Sequence, residues 1–231
     1  MSRREKLRQE MLEDIKTVAR QQMAETGTAG VSLSAIARAL EVSQPALYRY
    51  YPSRDDLITA LIVDAYNDQA DALEAAQTGI PQQDYPGRML EVLEAYRRWA
   101  LEHPTDFQLI YGNPIPGYTA PFEVTAPAAR RNLNVILTIL AQALAAGALT
   151  LTEEHHHAAQ RLDIALPELT GANDPALVYL ALVGMYRIHG MIMLELFHHT
   201  DSLLPDTGAF YTNEIIHLLR EAGMNVGSLP D

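Results

Sequence analysis

No cysteine occurs among the 231 residues. Disulfides, thiolate nucleophiles and cysteine-built zinc sites are therefore excluded, and the chain suits a reducing compartment. Lysine is scarce too: Lys6 and Lys16 are the only two among seventeen basic residues, a bias that carries no mechanism. No apolar run approaches the roughly 18 residues that span a bilayer. No apolar segment follows Met1-Ser2-Arg3-Arg4-Glu5-Lys6, so a secretory signal is not expected. The protein is expected in the cytoplasm, with no membrane partner. No stretch alternates apolar and polar residues as a half-buried strand does. Nucleotide-binding glycine motifs, a phosphate-binding loop and a serine elbow are also missing.

What is present is acid, and it is unevenly spread. The formal net charge is −12. Residues 1–60 hold nine Lys/Arg and eight Asp/Glu, a net of +1, whereas residues 61–231 hold eight and twenty-one, a net of −13. A polyanion is repelled by the second part and tolerated by the first. Arg3, Arg4, Lys6 and Arg8 gather at the N-terminal tip, where residues 3, 4 and 6 are expected to be a disordered tip in the free chain.

Helical periodicity runs through almost every long segment. Leu7, Met11, Ile15, Val18, Gln22 and Met23 advance by threes and fours and predict a first helix over about residues 3–26, ended by Gly27 and Gly30. Ser32 and Ser43 are placed to cap a second and a third short helix. Pro45 falls in the first turn of the third, where its missing N–H costs nothing, and Pro52 closes that helix. Ser53 caps a fourth helix that carries Asp55 and Asp56 at its positive end and continues towards Ala76. Residues 78–87 read as a loop, followed by a helix from about 88 to 102. Three prolines and two glycines forbid regular helix over 111–121. Further helices are expected at about 124–148, 153–168, 174–199 and 206–223. The fold class is all-α: an N-terminal three-helix domain, residues 1–56, fused to a larger helical domain, residues 57–231, with the boundary inside a helix.

The second and third helices form a helix-turn-helix. Ile36, Ala37, Leu40, Val42 and Leu47 are placed to pack the pair together. Gln44, Tyr48, Arg49 and Tyr50 then face outward, a chemistry suited to the edges and phosphates of duplex DNA. Gln44 suits adenine and Arg49 suits guanine or phosphate. Tyr48, Tyr50 and Ser43 offer hydroxyls to phosphates, and Pro45 and Ala46 offer apolar contact to thymine methyls. Ser32 and Ser34 stand at a helix N-terminus, where free N–H groups hold a phosphate, and Arg54 begins the fourth helix within reach of the backbone. Each serine reads equally well as a cap alone, and Tyr51 reads as core.

The order of these elements, with Ile36-Ala37, Val42-Ser43, Ala46-Leu47-Tyr48-Arg49-Tyr50-Tyr51 and Ser53-Arg54-Asp55-Asp56-Leu57, resembles the tetracycline-repressor (TetR) family of bacterial regulators over about residues 5–62. Tyr96-Arg97-Arg98-Trp99 through His103-Pro104 and Met185-Tyr186-Arg187-Ile188-His189-Gly190 resemble a C-terminal domain of actinobacterial members in which a Trp and a His-Gly pair recur. The resemblance implies a homodimer that binds a double-stranded DNA operator, represses transcription and is released by a small-molecule effector. It implies dimerisation through the helices at about 174–199 and 206–223, no cofactor and no catalysis. One departure stands out: Glu41 occupies a turn position where the family often has Gly, whose left-handed backbone costs other residues roughly 1 kcal/mol.

The aromatic, Met and His residues of the middle helices and the Pro-rich loop are the candidates for the effector pocket: Trp99, His103, Phe107, Tyr111, Tyr118, Phe122, Met185, Tyr186, His189, Met193 and Phe197. Each also reads as ordinary core. His189 and Arg187 are the polar groups best able to orient a ligand. A different class of function stays open alongside. Glu153-His156, Glu154-His157 and Glu195-His198 have Glu-x-x-His spacing, which puts two metal ligands on one helix face and allows a metal-responsive regulator or a helical metal-dependent enzyme. Asn67-Asp68-Gln69-Ala70-Asp71 loosely mimics an acidic magnesium motif but reads better as a solvated face.

Overall fold

A computed structural model of the chain describes residues 2–162 and 174–227. Among these the only β-type pairing is an isolated antiparallel bridge between Leu149 and Met224. The helices are α1 (Arg3–Thr26), α2 (Leu33–Ala39), α3 (Gln44–Leu47), α4 (Arg54–Ala75), α5 (Tyr85–Glu102), α6 (Pro104–Tyr111), α7 (Phe122–Ala145), α8 (Glu153–Arg161), α9 (Pro175–Leu196) and α10 (Thr207–Glu221), with a 3₁₀ turn over Thr28–Gly30.

Local chemistry accounts for most of the boundaries. Ser2 caps α1 reciprocally with Glu5, so the tip at residues 3–6 is helical and the expectation of a disordered tip is corrected. A capping box satisfies two otherwise unpaired N–H groups. Ser32, Ser43 and Ser53 accept from the amides of Ala35, Ala46 and Asp56. Asp174 and Asp206 do the same for Ala176 and Ala209 at the starts of α9 and α10. Helix α5 begins three residues earlier than the loop composition predicts. Pro86 and Gly87 sit inside its first turn, where proline is tolerated and where Asp84 accepts the Gly87 amide at 3.0 Å. Helix α6 has no counterpart in the sequence expectations. It starts with Pro104 and spans eight residues, too short for a clear periodic signal. The predicted end of α8, at about 168, lies outside the described residues.

The chain packs as two compact units. One comprises residues 1–66 with 103–127, the other 67–102 with 128–231, and the boundaries fall within α4, between α5 and α6, and within α7. None of these boundaries coincides with the expected division at 56/57. In the first unit α1, α2, α3, α4, α6 and the following loop share a core of Ile15, Ala19, Ile36, Leu47, Leu57, Leu61, Leu109 and Ile115. In the second, Met89, Val92, Ile139, Ile188, Ile192 and Ile215 are fully or almost fully buried.

The length of the apolar segments requires a correction. Helix α9 is long and apolar enough to cross a membrane by length and composition, with a mean hydropathy of 1.6, yet only 28% of that stretch is buried. Glycines and single polar residues break up the run in the sequence, but the average along the helix stays high. Its Arg187 and Glu195 pair with Glu221 and Arg97. Tyr186, Leu194 and Phe197 are exposed along it, as is Phe210 on α10.

Candidate nucleic-acid interface

The turn between α2 and α3 is closed by two hydrogen bonds, Glu41 N–H to Arg38 O at 3.2 Å and Val42 N–H to Ala37 O at 3.0 Å. This pairing is the Schellman ending of a helix, which requires a left-handed residue after the cap. Glu41 supplies it at φ 54°, so the left-handed turn is kept at a glutamate. Helix α3 follows, and the chain then tightens: Arg49 and Tyr50 donate to carbonyls three residues back, Ala46 and Leu47, at 3.3 and 2.9 Å. Leu47 is buried against α1, α2 and α4, which fixes the face presented outward.

That face holds Gln44, Pro45, Tyr48 and Arg49, all exposed, beside Ser43. Tyr48 is 48% exposed, a large fraction for an aromatic ring with no packing role. Ala46 is half-buried. Tyr50 turns partly inward onto the core and carries the Arg8 guanidinium over its ring at 5.7 Å. Ser32 and Ser34 share a hydroxyl contact of 3.0 Å at the start of α2, and the Ser32 amide donates to Gln22 of α1 at 3.0 Å. Arg54 does not extend freely. Its Nε and one terminal nitrogen donate to the carbonyls of Val31 and Ala29, at 3.0 and 2.9 Å, so it braces the loop entering α2. Arg38 on α2 is also exposed.

Three side-chain pairs that sequence periodicity missed set this unit. Arg20 donates to both oxygens of Asp106 on α6. Lys16 reaches Asp64 at 2.6 Å; burial, which lowers an ammonium pKa, is outweighed there by that carboxylate, and the net shift is upward. Tyr118 and Thr59 share a hydroxyl contact of 2.9 Å. Burial pushes the Tyr51 phenol up, in keeping with a core residue.

The effector candidates divide between the units. His103, Phe107, Tyr111, Tyr118 and Phe122 belong to the first; Trp99, Met185, Tyr186, His189, Met193 and Phe197 belong to the second. Phe107 is fully buried and packs at 5.2 Å from Tyr111, which meets Tyr66 edge-on at 5.9 Å. His103 occupies the N-cap position of α6 without a side-chain capping bond, and Phe122 is 57% exposed. Trp99 donates its indole N–H to Asp68 at 2.8 Å, which places that acidic stretch in structural service. His189 Nδ1 meets the Tyr96 hydroxyl at 2.8 Å, and burial lowers its pKa.

A cavity of about 450 Å³ opens in the second unit among α5, α7, α8, α9 and α10. Of the candidates only Met185 lines it, together with Arg187; aliphatic side chains such as Leu93, Leu140 and Ile188 form most of the wall. No group of three or more His, Asp or Glu side chains is gathered for a metal ion among the described residues. Glu195 instead binds Arg97 in two-pronged fashion and accepts from Thr207 at 2.6 Å.

Comparisons with known proteins agree with this geometry. Residues 15–61 match the family described as bacterial regulatory proteins, tetR family, and residues 89–218 match the tetracyclin repressor-like C-terminal domain. The chain is 36% identical over 154 residues to the HTH-type transcriptional regulators Rv1816 of Mycobacterium tuberculosis and Mb1846 of Mycobacterium bovis. The alignment covers 67% of this chain and 66% of each relative, so the chain spans just under two thirds of their length. The solved structure named as regulatory protein SCO4313 is 33% identical, with a TM-score of 0.78, over 95% of this chain and 100% of that one. The TetR family transcriptional regulator PfmR of Thermus thermophilus shares the fold at 18% identity, with a TM-score of 0.61, over 92% of this chain and 96% of that one.

Proposed function

The chain belongs to the TetR family of bacterial regulatory proteins, and on that premise we propose that it is a ligand-responsive repressor that binds a palindromic operator as a homodimer. The observation that carries the reading is the outward face of Gln44, Pro45, Tyr48 and Arg49, held by a buried Leu47 and two serine caps. In this geometry the residues from Ser43 to Arg49 enter the major groove. Ser32 and Ser34 present the α2 N-terminus to a phosphate, and Arg54 acts through the loop it braces. Glu41 weakens nearby phosphate contacts.

Dimerisation runs through α9 and α10. The exposed Tyr186, Leu194, Phe197 and Phe210 form apolar surface of the kind that marks an interface. A side chain added at Gly190 would meet nothing within 4 Å, which leaves room for a partner helix. A two-fold dimer places half-sites about one DNA turn apart, roughly 34–36 Å or a multiple. An effector bound in the helical domain changes that spacing and releases the operator. The working place is the cytoplasm, and the role requires neither catalysis nor a cofactor.

The test is to select duplexes from a random DNA pool with the purified dimer and sequence them. A palindromic consensus is expected. No enrichment at low salt, with a folded dimer, would overturn the reading.

A further inference from the structure

The cavity of the second unit has a chemical bias that its residues make explicit. Its floor is apolar, with Met89, Leu93 and Ile188 buried. Three charged side chains line it: Glu154, Glu221 and Arg187. Two carboxylates against one guanidinium leave a formal charge of −1. Arg187 is already bonded to Glu221, so an incoming carboxylate has to displace Glu221 to reach it. Glu154 forms no ion pair among the described residues, and an incoming cation meets it without displacing anything. His155, also in the lining, accepts the Thr152 amide at Nδ1 at 3.2 Å. Tyr179 contributes a half-buried ring to the same wall, and aromatic faces attract cations.

We propose that this cavity binds an amphipathic organic cation, with its ammonium group beside Glu154 and its apolar body over Met89, Leu93 and Ile188. This assignment rests on the reading of the second unit as an effector domain and specifies its ligand class. The volume of about 450 Å³ has room for on the order of fifteen non-hydrogen atoms, at ~30 Å³ each. That matches a ten-carbon chain with a trimethylammonium head.

The experiment is calorimetric titration of the full-length protein, without DNA, with decyltrimethylammonium, decanoate and decanol below their aggregation limits. One saturable site per chain is expected for the cation, at least about fivefold tighter than for the other two. Glu154→Gln, at an exposed position that tolerates the change, is expected to remove that preference and leave decanol binding as it was. Equal affinities, tighter decanoate, no binding of the cation, or an unaltered preference in Glu154→Gln would each overturn the assignment. Operator binding is scored separately. A chain that binds DNA but not the cation loses only this ligand class. One that binds the cation and selects no duplex loses the regulator reading.

Discussion

Asp106 holds both carboxylate oxygens against Nε of Arg20, at 2.9 and 3.0 Å, and so ties α6 to α1 across 86 residues of sequence. The Asp106 side chain is 10% exposed and that of Arg20 29%. Within the first unit this pair joins the helix beneath the helix-turn-helix to a segment that returns much later in the chain. Asp106→Ala leaves the guanidinium partly buried without its acceptor, a loss of about 1–3 kcal/mol. Urea unfolding at fixed protein concentration is expected to show a lower midpoint with the slope retained. An unchanged midpoint would show that water replaces the carboxylate at no cost.

Arg49 and Arg54 stand five positions apart in the sequence, yet their surroundings assign them opposite duties. Arg49 is exposed on the outward face, whereas Arg54 is spent on the carbonyls of Val31 and Ala29. Arg49→Ala is therefore expected to weaken operator binding by roughly 1–3 kcal/mol and, if it touches phosphate, to lower the salt slope by about one. Arg54→Ala is expected to weaken binding through a loosened loop, with the salt slope unchanged and the stability reduced. Affinity measured across a salt series, with unfolding of each variant, separates the two. Equal slope changes in both variants would give Arg54 a direct phosphate contact.

The caps, the turn and the long helices were legible in the sequence because they depend on neighbours within a few residues. Ser32, Ser43 and Ser53 each bond the amide three positions on, so their chemistry is local; the Ser2 cap is equally local, but the basic tip beside it reads as disorder. Asp106 with Arg20, and Gln22 with the Ser32 amide, join distant segments and leave no periodic trace. The cavity escaped for another reason. Aromatic and His side chains were the natural candidates by type, but Phe107 is core and Trp99 is anchored to Asp68. The wall is instead made of aliphatic residues, which in sequence look like any other core.

Glu41 offers a test that separates conformation from charge. At φ 54° it occupies the left-handed region, where glycine avoids a cost of roughly 1 kcal/mol. Glu41→Gly is expected to raise the unfolding midpoint and also to tighten operator binding, because a carboxylate beside the DNA face is gone. Glu41→Gln removes the charge and keeps the strain, so it should tighten binding with no gain in stability. Binding and unfolding of both variants check the pair. A Gln variant that binds no better than the parent would place Glu41 beyond the reach of phosphate.

His189 makes stability depend on pH in a definite direction. Burial disfavours its charged form and lowers its pKa beneath the ordinary value near 6.5, while Nδ1 lies 2.8 Å from the Tyr96 hydroxyl. The unfolded chain binds a proton at His189 as the pH falls through about 6.5, but the folded chain does so only at lower pH. In that window the unfolded state holds more protons, so the contribution of neutral His189, complete above about 6.5, declines as the pH falls towards the folded pKa. His189→Gln has no titrating ring, and its stability should fall less between pH 7.5 and pH 5.5 than that of the parent. Urea unfolding of both chains across this range cancels the other seven histidines. Parallel curves would show that His189 keeps its ordinary affinity for protons in the folded chain.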